Sequence, residues 1–352
     1  MMMIMNQLKN IKNKKVLVRC DLDVPIEKGV IINDFRIRKA LPTIKYLKNQ
    51  GAEVIVMGHL GRPEKKRLKM EPVRKRLEEL LGFKVKVLEN LRFNKGEKDN
   101  NNEFAQELAS LADIYVNDAF AVCHRKHASI VGITKYLPSY PGLALESEIK
   151  ALTLNTNKLV AVIGGSKVET KVKVIERFLE KADHVLIGGK IANAILAVKG
   201  MAPKSYLPED IEEVKNINLT STKLHLPVDV MATDARESAL AKVKENEQML
   251  DIGPETIKMF IDIIKTAKTI VWAGPLGYFE DPLYAKGTKE VGLAIANSKA
   301  FKIAGGGDTI AALDEFDLTD RFDHVSTGGS AMLAFLSGEE LPGLKALGYY
   351  GN

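Results

Sequence analysis

Two runs, Ile303-Ala304-Gly305-Gly306-Gly307-Asp308-Thr309 and His324-Val325-Ser326-Thr327-Gly328-Gly329-Ser330, read as a short apolar strand, a glycine turn and the start of a helix. Such a turn offers backbone N–H groups to an anion, and the helix behind it adds the positive end of its dipole. Two turns of this kind, one leading into an Asp–Thr pair, predict a polyphosphate held with a metal ion. A third strand end, Val162-Ile163-Gly164-Gly165-Ser166-Lys167-Val168-Glu169-Thr170-Lys171, puts two lysines at helical spacing, able to share a face and point at a phosphate chain. A solvated lysine pair is the plainer alternative. Ile187-Gly188-Gly189 and Trp272-Ala273-Gly274-Pro275-Leu276-Gly277 are further glycine-rich strand ends, where a flat base or a phosphate can approach the backbone. Glu280 follows closely and is placed either for ribose hydroxyls or as an ordinary surface residue.

The first half carries a different set. Arg19, Asp21 and Asp23 follow one apolar run, and Arg36 opens the next helical stretch. Gly58-His59-Leu60-Gly61-Arg62-Pro63 follows a second run, Arg92 a third and Arg125 a fourth. In an open parallel sheet, ligands bind beyond the carboxyl ends of the strands. His59, Arg62, Arg92 and Arg125, with Arg36 nearby, suit a small anion with several charges, such as a phosphorylated carboxylate, because a guanidinium fork matches both groups.

HExxH, a nucleophile elbow, GxxxxGK[ST] and GxGxxG are all absent. Transfer of a phosphoryl group between a carboxylate and a nucleotide phosphate needs no general base, since both oxygens are already ionised. Catalysis then reduces to in-line positioning and cationic stabilisation, for which Arg36, Lys167 and Lys171 are suited.

The elements that position these residues follow from the hydrophobic pattern. Apolar runs at Lys15–Cys20, Glu53–Met57, Val85–Leu88 and Ile114–Asn117 predict buried strands in the first half. Runs at Leu159–Ile163, His184–Ile187, Leu224–Pro227, Thr269–Trp272, Phe301–Ala304 and His324–Ser326 do so in the second. Amphipathic stretches lie between them. In one, Ile37, Leu41, Ile44 and Leu47 keep helical spacing up to Gly51, with Pro42 predicting a kink or a late start. The fold class is therefore α/β, with two doubly wound parallel-sheet domains. A Pro141-Gly142 turn and a polar break at Asn155-Thr156-Asn157 bracket the expected boundary. The tail from Leu341 to Asn352 is apolar enough to pack back on a domain.

The 352 residues are 45% hydrophobic and 27% charged, a globular composition of two-domain size. A net charge of +6 is modest and favours small anions over nucleic acid. Cys20 and Cys123 form no CxxC, so neither a disulfide framework nor a zinc site is expected, in keeping with a cytoplasmic protein. No apolar run reaches membrane-spanning length.

Taken in chain order, these segments resemble the phosphoglycerate kinase family. The match runs through Arg19 to Pro25, Asn33 to Ile37, His59 to Pro63, Leu88 to Phe93, Val116 to Ser129, Gly164 to Lys171, Gly274 to Glu280, Gly305 to Thr309 and His324 to Gly329. The resemblance implies reversible transfer of the acyl phosphate of 1,3-bisphosphoglycerate to ADP, a step of glycolysis and gluconeogenesis, by a cytoplasmic monomer. It implies two Rossmann-like domains facing a central cleft: residues 1–145 for 3-phosphoglycerate, a helix and hinge at 146–157, residues 158–336 for Mg-ATP or Mg-ADP, and a tail, 337–352, returning to the first domain. Asp21, Asp23, Arg36, His59, Arg62, Arg92 and Arg125 would hold the glycerate. Lys171, Gly188, Gly189, Gly253, Glu280 and Gly306 to Thr309 (with Gly307 and Asp308) would hold the nucleotide, Asp308 facing magnesium. Arg36, Lys167, Lys171 and the backbone of Gly328 and Gly329 would stabilise the transferring group.

Some positions depart from the family pattern. Asp23 stands where Asn is usual, Gly58 for Ser, Ala273 for Asn, Lys190 for a third Gly and Ser330 for Gly. Gly82 to Val87 also runs straight into Leu88-Glu89-Asn90, so the first domain is expected to lack one strand–helix unit. The alternative readings are a non-catalytic metabolite-binding protein on the same fold, a dinucleotide-dependent dehydrogenase, and a kinase for another acyl phosphate.

Overall fold

The computed structural model describes residues 5–154, 157–202 and 211–351. Asn155 and Thr156 of the expected hinge lie outside the described residues. The chain divides into one compact unit of Met1–Lys150 with Glu340–Asn352, and a second of Ala151–Glu339.

The first unit is built on β1 (Lys15–Cys20), β2 (Glu53–Met57), β3 (Lys86–Val87), β4 (Ile114–Asp118) and β5 (Ser139–Pro141). These form one parallel sheet in the order β3-β2-β1-β4-β5. Side chains alternate across a strand, and both faces are covered. Val16 and Val18 pack with Ile37, Ile44 and Leu47 of α1 (Phe35–Asn49) and with Val73 and Leu77 of α2 (Glu71–Leu81). Leu17 points the other way, to Tyr115 and to Phe104 and Leu108 of α3 (Asn102–Ala109). Arg19 is level with Met57 on one side and Asn117 on the other. The loops after β1, β2 and β4 therefore leave the sheet along one edge.

α1 runs through Pro42, so its start is not delayed. The lost N–H is outweighed by the burial of Ile37, Ala40, Ile44 and Leu47 on one face. α4 (Leu143–Leu152) carries the chain across the division between units. Its first turn is capped by the buried Asp118, whose Oδ1 accepts from Ala144 N at 2.9 Å and Leu145 N at 3.3 Å. The tail docks on the first unit: Gly343 N donates to the Cys123 carbonyl at 2.8 Å, and Leu341 and Leu344 are buried.

The second unit contains β6 (Leu159–Ile163), β7 (His184–Ile187), β8 (Leu224–His225), β9 (Asp229–Ala232), β10 (Arg236–Ala239), β11 (Met249–Ile252), β12 (Thr269–Ala273), β13 (Phe301–Gly305) and β14 (His324–Ser326). The main sheet is parallel, in the order β8-β7-β6-β12-β13-β14, which reverses direction beside β6 as a doubly wound sheet does. Ile163 pairs with both Ile187 and Ala273, and Gly305 pairs with Ser326, so the glycine turns share one edge. The remaining strands form a small antiparallel sheet, β10-β9-β11, which the hydrophobic pattern did not predict.

Candidate active site

In the first unit the cationic loops converge. Arg62, Glu64, Lys65, Arg92, Lys98 and Arg125 line a cavity of about 370 Å³. Its electrostatics are strongly positive, and burial and the neighbouring Arg125 lower the pKa of Arg92. Arg92 Nη1 donates to the Gly61 carbonyl at 2.7 Å, and its Nε is buried with no hydrogen-bond partner.

Arg36 stands at the start of α1 beside both carboxylates. Its Nη1 lies 2.9 Å from the Asp23 carbonyl oxygen, 3.5 Å from Asp21 Oδ1 and 4.0 Å from Asp23 Oδ2. Asp23 does not turn away from this cluster. Its Oδ1 accepts from Gly61 N at 2.7 Å, and its Oδ2 lies 3.4 Å from His59 Nε2. Burial alone would raise the Asp23 carboxyl, but His59, the Gly61 N–H and Arg36 outweigh it and hold the group well below the usual range. Asp21 goes the other way, raised by burial despite Arg36 and Arg19, and its Oδ2 has no hydrogen-bond partner.

The second unit presents a cavity of about 710 Å³ at the glycine edge, lined among others by Gly165, Ser166, Gly189, Lys190, Asn193, Met249, Leu250, Asp251, Pro275, Tyr278, Glu280 and Asp308. Its floor is a stack of turns. Gly165 N donates to the Pro275 carbonyl at 2.7 Å, Gly189 N to Leu276 at 2.8 Å and Gly188 N to Ile163 at 2.9 Å. These N–H groups are therefore not offered to a ligand; the turns use them to hold one another. A Cβ on Gly189 would sit 2.7 Å from Gly165 N, and one on Gly329 would sit 2.7 Å from Gly306 Cα. The first turns of the helices Gly307–Glu315 and Gly329–Leu336 instead carry N–H groups with no intrahelical acceptor, an arrangement suited to an anion.

The two lysines part company. The helix behind the first glycine turn begins only at Val172, so Lys167 and Lys171 do not share a helix face. Lys167 is exposed. Lys171 is buried, and its Nζ donates to the Ala273 carbonyl at 2.6 Å and the Gly164 carbonyl at 2.8 Å. Burial pulls its pKa down to about 8, with Asp308 acting against the shift and Lys167 adding to it.

Other expected residues take structural positions. Gly253 lies outside the cavity lining; a Cβ there would meet the Asp229 carboxyl at 2.3 Å, and that carboxylate caps the helix Pro254–Ile264 through Glu255 N and Thr256 N. Met249, Leu250 and Tyr278, which carry no motif signal, line the cavity instead. Thr309 is buried; its Oγ1 accepts from Gly274 N at 2.7 Å and donates to the Gly305 carbonyl at 2.9 Å. It thereby ties two glycine turns together. Thr309→Val keeps the shape and leaves both backbone groups unpaired, so a loss of about 1–3 kcal/mol is expected in urea unfolding of the protein. An unchanged midpoint would show that the bridge is not needed.

A family model described as phosphoglycerate kinase matches residues 5–88 and 83–339. The phosphoglycerate kinase of Dictyoglomus turgidum is 42% identical over 382 residues, covering 96% of each chain, and that of Francisella philomiragia is 41% identical over 377 residues with the same coverage. Among solved structures, the phosphoglycerate kinase of Coxiella burnetii superposes with a TM-score of 0.86 at 38% identity over 100% of both chains. That of Pyrococcus horikoshii gives 0.87 at 34% identity over 98% of both.

Proposed function

The chain belongs to the phosphoglycerate kinase family and is a phosphotransferase of that activity, and from this premise we propose which residues carry the reaction and how. It binds 3-phosphoglycerate and ATP, or 1,3-bisphosphoglycerate and ADP. The observation that carries the assignment of roles is the separation of the two sites: an arginine-lined cavity in one unit and a glycine-floored cavity in the other.

In the first unit, Arg62, Arg92 and Arg125 hold the glycerate phosphate as guanidinium forks. Asp21 Oδ2, which is buried and unpartnered, accepts the substrate hydroxyl, with Asp23 and His59 beside it. Arg36 meets the carboxyl end. In the second unit the base enters past Gly189, Met249 and Leu250, and Glu280 takes the ribose. The phosphates then reach the N-termini at Gly306–Thr309 and Gly328–Gly329, flanked by Lys167 and by Lys171.

In the ATP-forming direction the bond between phosphorus and the acyl oxygen breaks, and one forms to a terminal oxygen of ADP. The carboxylate leaves with the electron pair of the broken bond, so no proton moves. Arg36, Lys167 and the helix N-termini neutralise charge on the transferring group. Because the two ligands are held by different units, the units must bring them together, and closure excludes the water that would hydrolyse the acyl phosphate.

Among the described residues, no group of three or more His, Cys, Asp or Glu could hold a metal. A single exposed carboxylate, Asp308, at a helix start beside the nucleotide cavity fits Mg²⁺, which keeps its waters and binds through one or two carboxylates and the substrate's phosphates. Bound there, the ion would supply positive charge to the nucleotide phosphates. Asp308→Asn is expected to raise the Mg²⁺ concentration for half-maximal rate about tenfold or more at fixed ATP. An unchanged Mg²⁺ titration would remove the residue from this role.

We also take the first unit to be trimmed by one strand–helix unit between Gly82 and Leu88. Two observations support this: the family match is split at 83–88, and its alignment to the Dictyoglomus relative, at 382 residues, is longer than the chain itself. Two buried free cysteines suit a reducing cytoplasm, and the protein is taken as a monomer. No helix among the described residues is long and apolar enough to cross a membrane. Hydrogen exchange on the whole chain tests the division of labour. 3-Phosphoglycerate should protect the loops at 58–63 and 90–93, and ADP those at 164–166 and 306–309. Protection of both sets by one ligand would contradict it.

A further inference from the structure

The His59 imidazole is buried, and Arg19 Nη2 lies 2.9 Å from its Nδ1. A guanidinium has donors only, so Nδ1 must accept and cannot carry a proton. The ring proton is then on Nε2, 3.4 Å from Asp23 Oδ2, a distance too long for a strong bond. A substrate oxygen entering beside Asp23 can replace that carboxylate as the acceptor of this proton.

Arg19 is itself held on every side. It is 0% exposed; its Nε donates to Ser129 Oγ at 3.0 Å, and another arm donates to the Cys20 carbonyl. Ser129 Oγ in turn donates to Glu97 Oε1 at 2.7 Å, and Ser129 N to Glu97 Oε2 at 3.0 Å. Glu97 is also 0% exposed. Burial would raise its carboxyl, but His127, Arg19 and Ser129 hold it at about 2. Replacing buried charged groups by well-packed apolar residues of similar volume is often neutral or stabilising. Stability therefore does not account for a buried Glu–Ser–Arg chain that ends on one nitrogen of a site histidine.

We propose that Arg19, held by Glu97 and Ser129, is a positioning residue of the glycerate site: it fixes His59 as a neutral ring with its proton on Nε2, so that His59 serves the anionic substrate as a hydrogen-bond donor and not as a cation. This rests on the glycerate-site reading above. Burial is the main influence against a His59 cation; Arg19 and Arg92 add to it and Asp23 opposes it, with Arg36 and Asp21 acting through Asp23. The ring therefore stays neutral down to a pKa of about 4. Loosening the Arg19 N–H frees Nδ1 to take a proton and weakens one of the influences against the cation, so the pKa rises from that value while burial and Arg92 still oppose it.

Two readouts test this on the full chain. The first is the ¹⁵N spectrum of the imidazoles, of which there are 6, with His59→Gln giving the assignment. A neutral His59 protonated at Nε2 at pH 7 is expected; an imidazolium or an Nδ1-protonated ring overturns the proposal. The second is the KM for 3-phosphoglycerate in Arg19→Lys and in Ser129→Ala. Ser129→Ala loosens Arg19 without removing a charge, and so serves if the lysine variant fails to fold. Both should raise that KM severalfold with the KM for ATP unchanged. The ratio of variant to parent KM should fall as pH drops from 8 to 6, since the freed ring gains charge; substrate titration cancels in the ratio. A pH-independent ratio overturns the proposal. The expected tautomer with an unchanged KM overturns the placement of His59 at the substrate, and the proposal with it.

Discussion

Arg36→Ala is expected to lower kcat by about 10²–10³-fold while ADP affinity stays at the parental value, since the loss is of one preorganised cationic donor to the transferring group. The side chain is 30% exposed, reachable by a ligand yet anchored on the Asp23 carbonyl. Its removal also takes the nearest cation from Asp21, whose carboxyl is already raised by burial. Some loss of stability in the first unit should therefore accompany the loss of rate. Arg36→Lys separates the two effects: it restores the charge near Asp21 but not the planar fork, so stability should recover more fully than turnover. The kinetic split is measured by kcat against an ADP binding isotherm. Near-normal turnover in the alanine variant would remove Arg36 from the reaction.

The second large effect concerns the floor of the nucleotide cavity. A Cβ on Gly164 would lie 2.0 Å from the Pro275 carbonyl oxygen and 2.8 Å from its carbon. Both are backbone atoms of a turn that is already tied to Gly165 N at 2.7 Å, so the clash cannot be relieved by a rotamer change. Gly164→Ala should cost about 3 kcal/mol or more and weaken nucleotide binding with it. The chain supplies its own probe: the single tryptophan, Trp272, is fully buried in β12, and its Nε1 donates to the Gly274 carbonyl at 2.9 Å. Its fluorescence during urea unfolding reports on this unit. Gly307→Ala is the control, because nothing lies within 4 Å of the Cβ it would add; its midpoint should barely move. Equal midpoints for the two variants would contradict the account of the stacked turns.

These turns mark where the sequence becomes hard to read. The long Val/Ile/Leu runs announce β1, β2, β6 and β7 because strands buried on both faces must be apolar throughout. β5 hides, being short and containing Pro141, and the antiparallel strands from Asp229 to Ile252 are broken by charged residues. The same contrast holds at the sites. Strand-end arginines are legible because loops after parallel strands converge. That Gly165 N would be taken by Pro275, that Lys171 would turn inward onto two carbonyls, and that Thr309 would bridge two turns all depend on which strands become neighbours. Spacing along the chain does not record that. Arg19 is the clearest case: the sequence shows it as one more cation at the end of an apolar run, and only the register with β2 and β4 brings it to His59 and Ser129.

The central claim is that this chain moves a phosphoryl group between a nucleotide and a glycerate carboxylate. The most direct test is steady-state turnover of the purified full chain with ATP, 3-phosphoglycerate and Mg²⁺, coupled to NADH oxidation by glyceraldehyde-3-phosphate dehydrogenase. The account predicts NADH loss that requires all three components together and saturates independently in each substrate. Nucleotide binding without 3-phosphoglycerate-dependent turnover would contradict it.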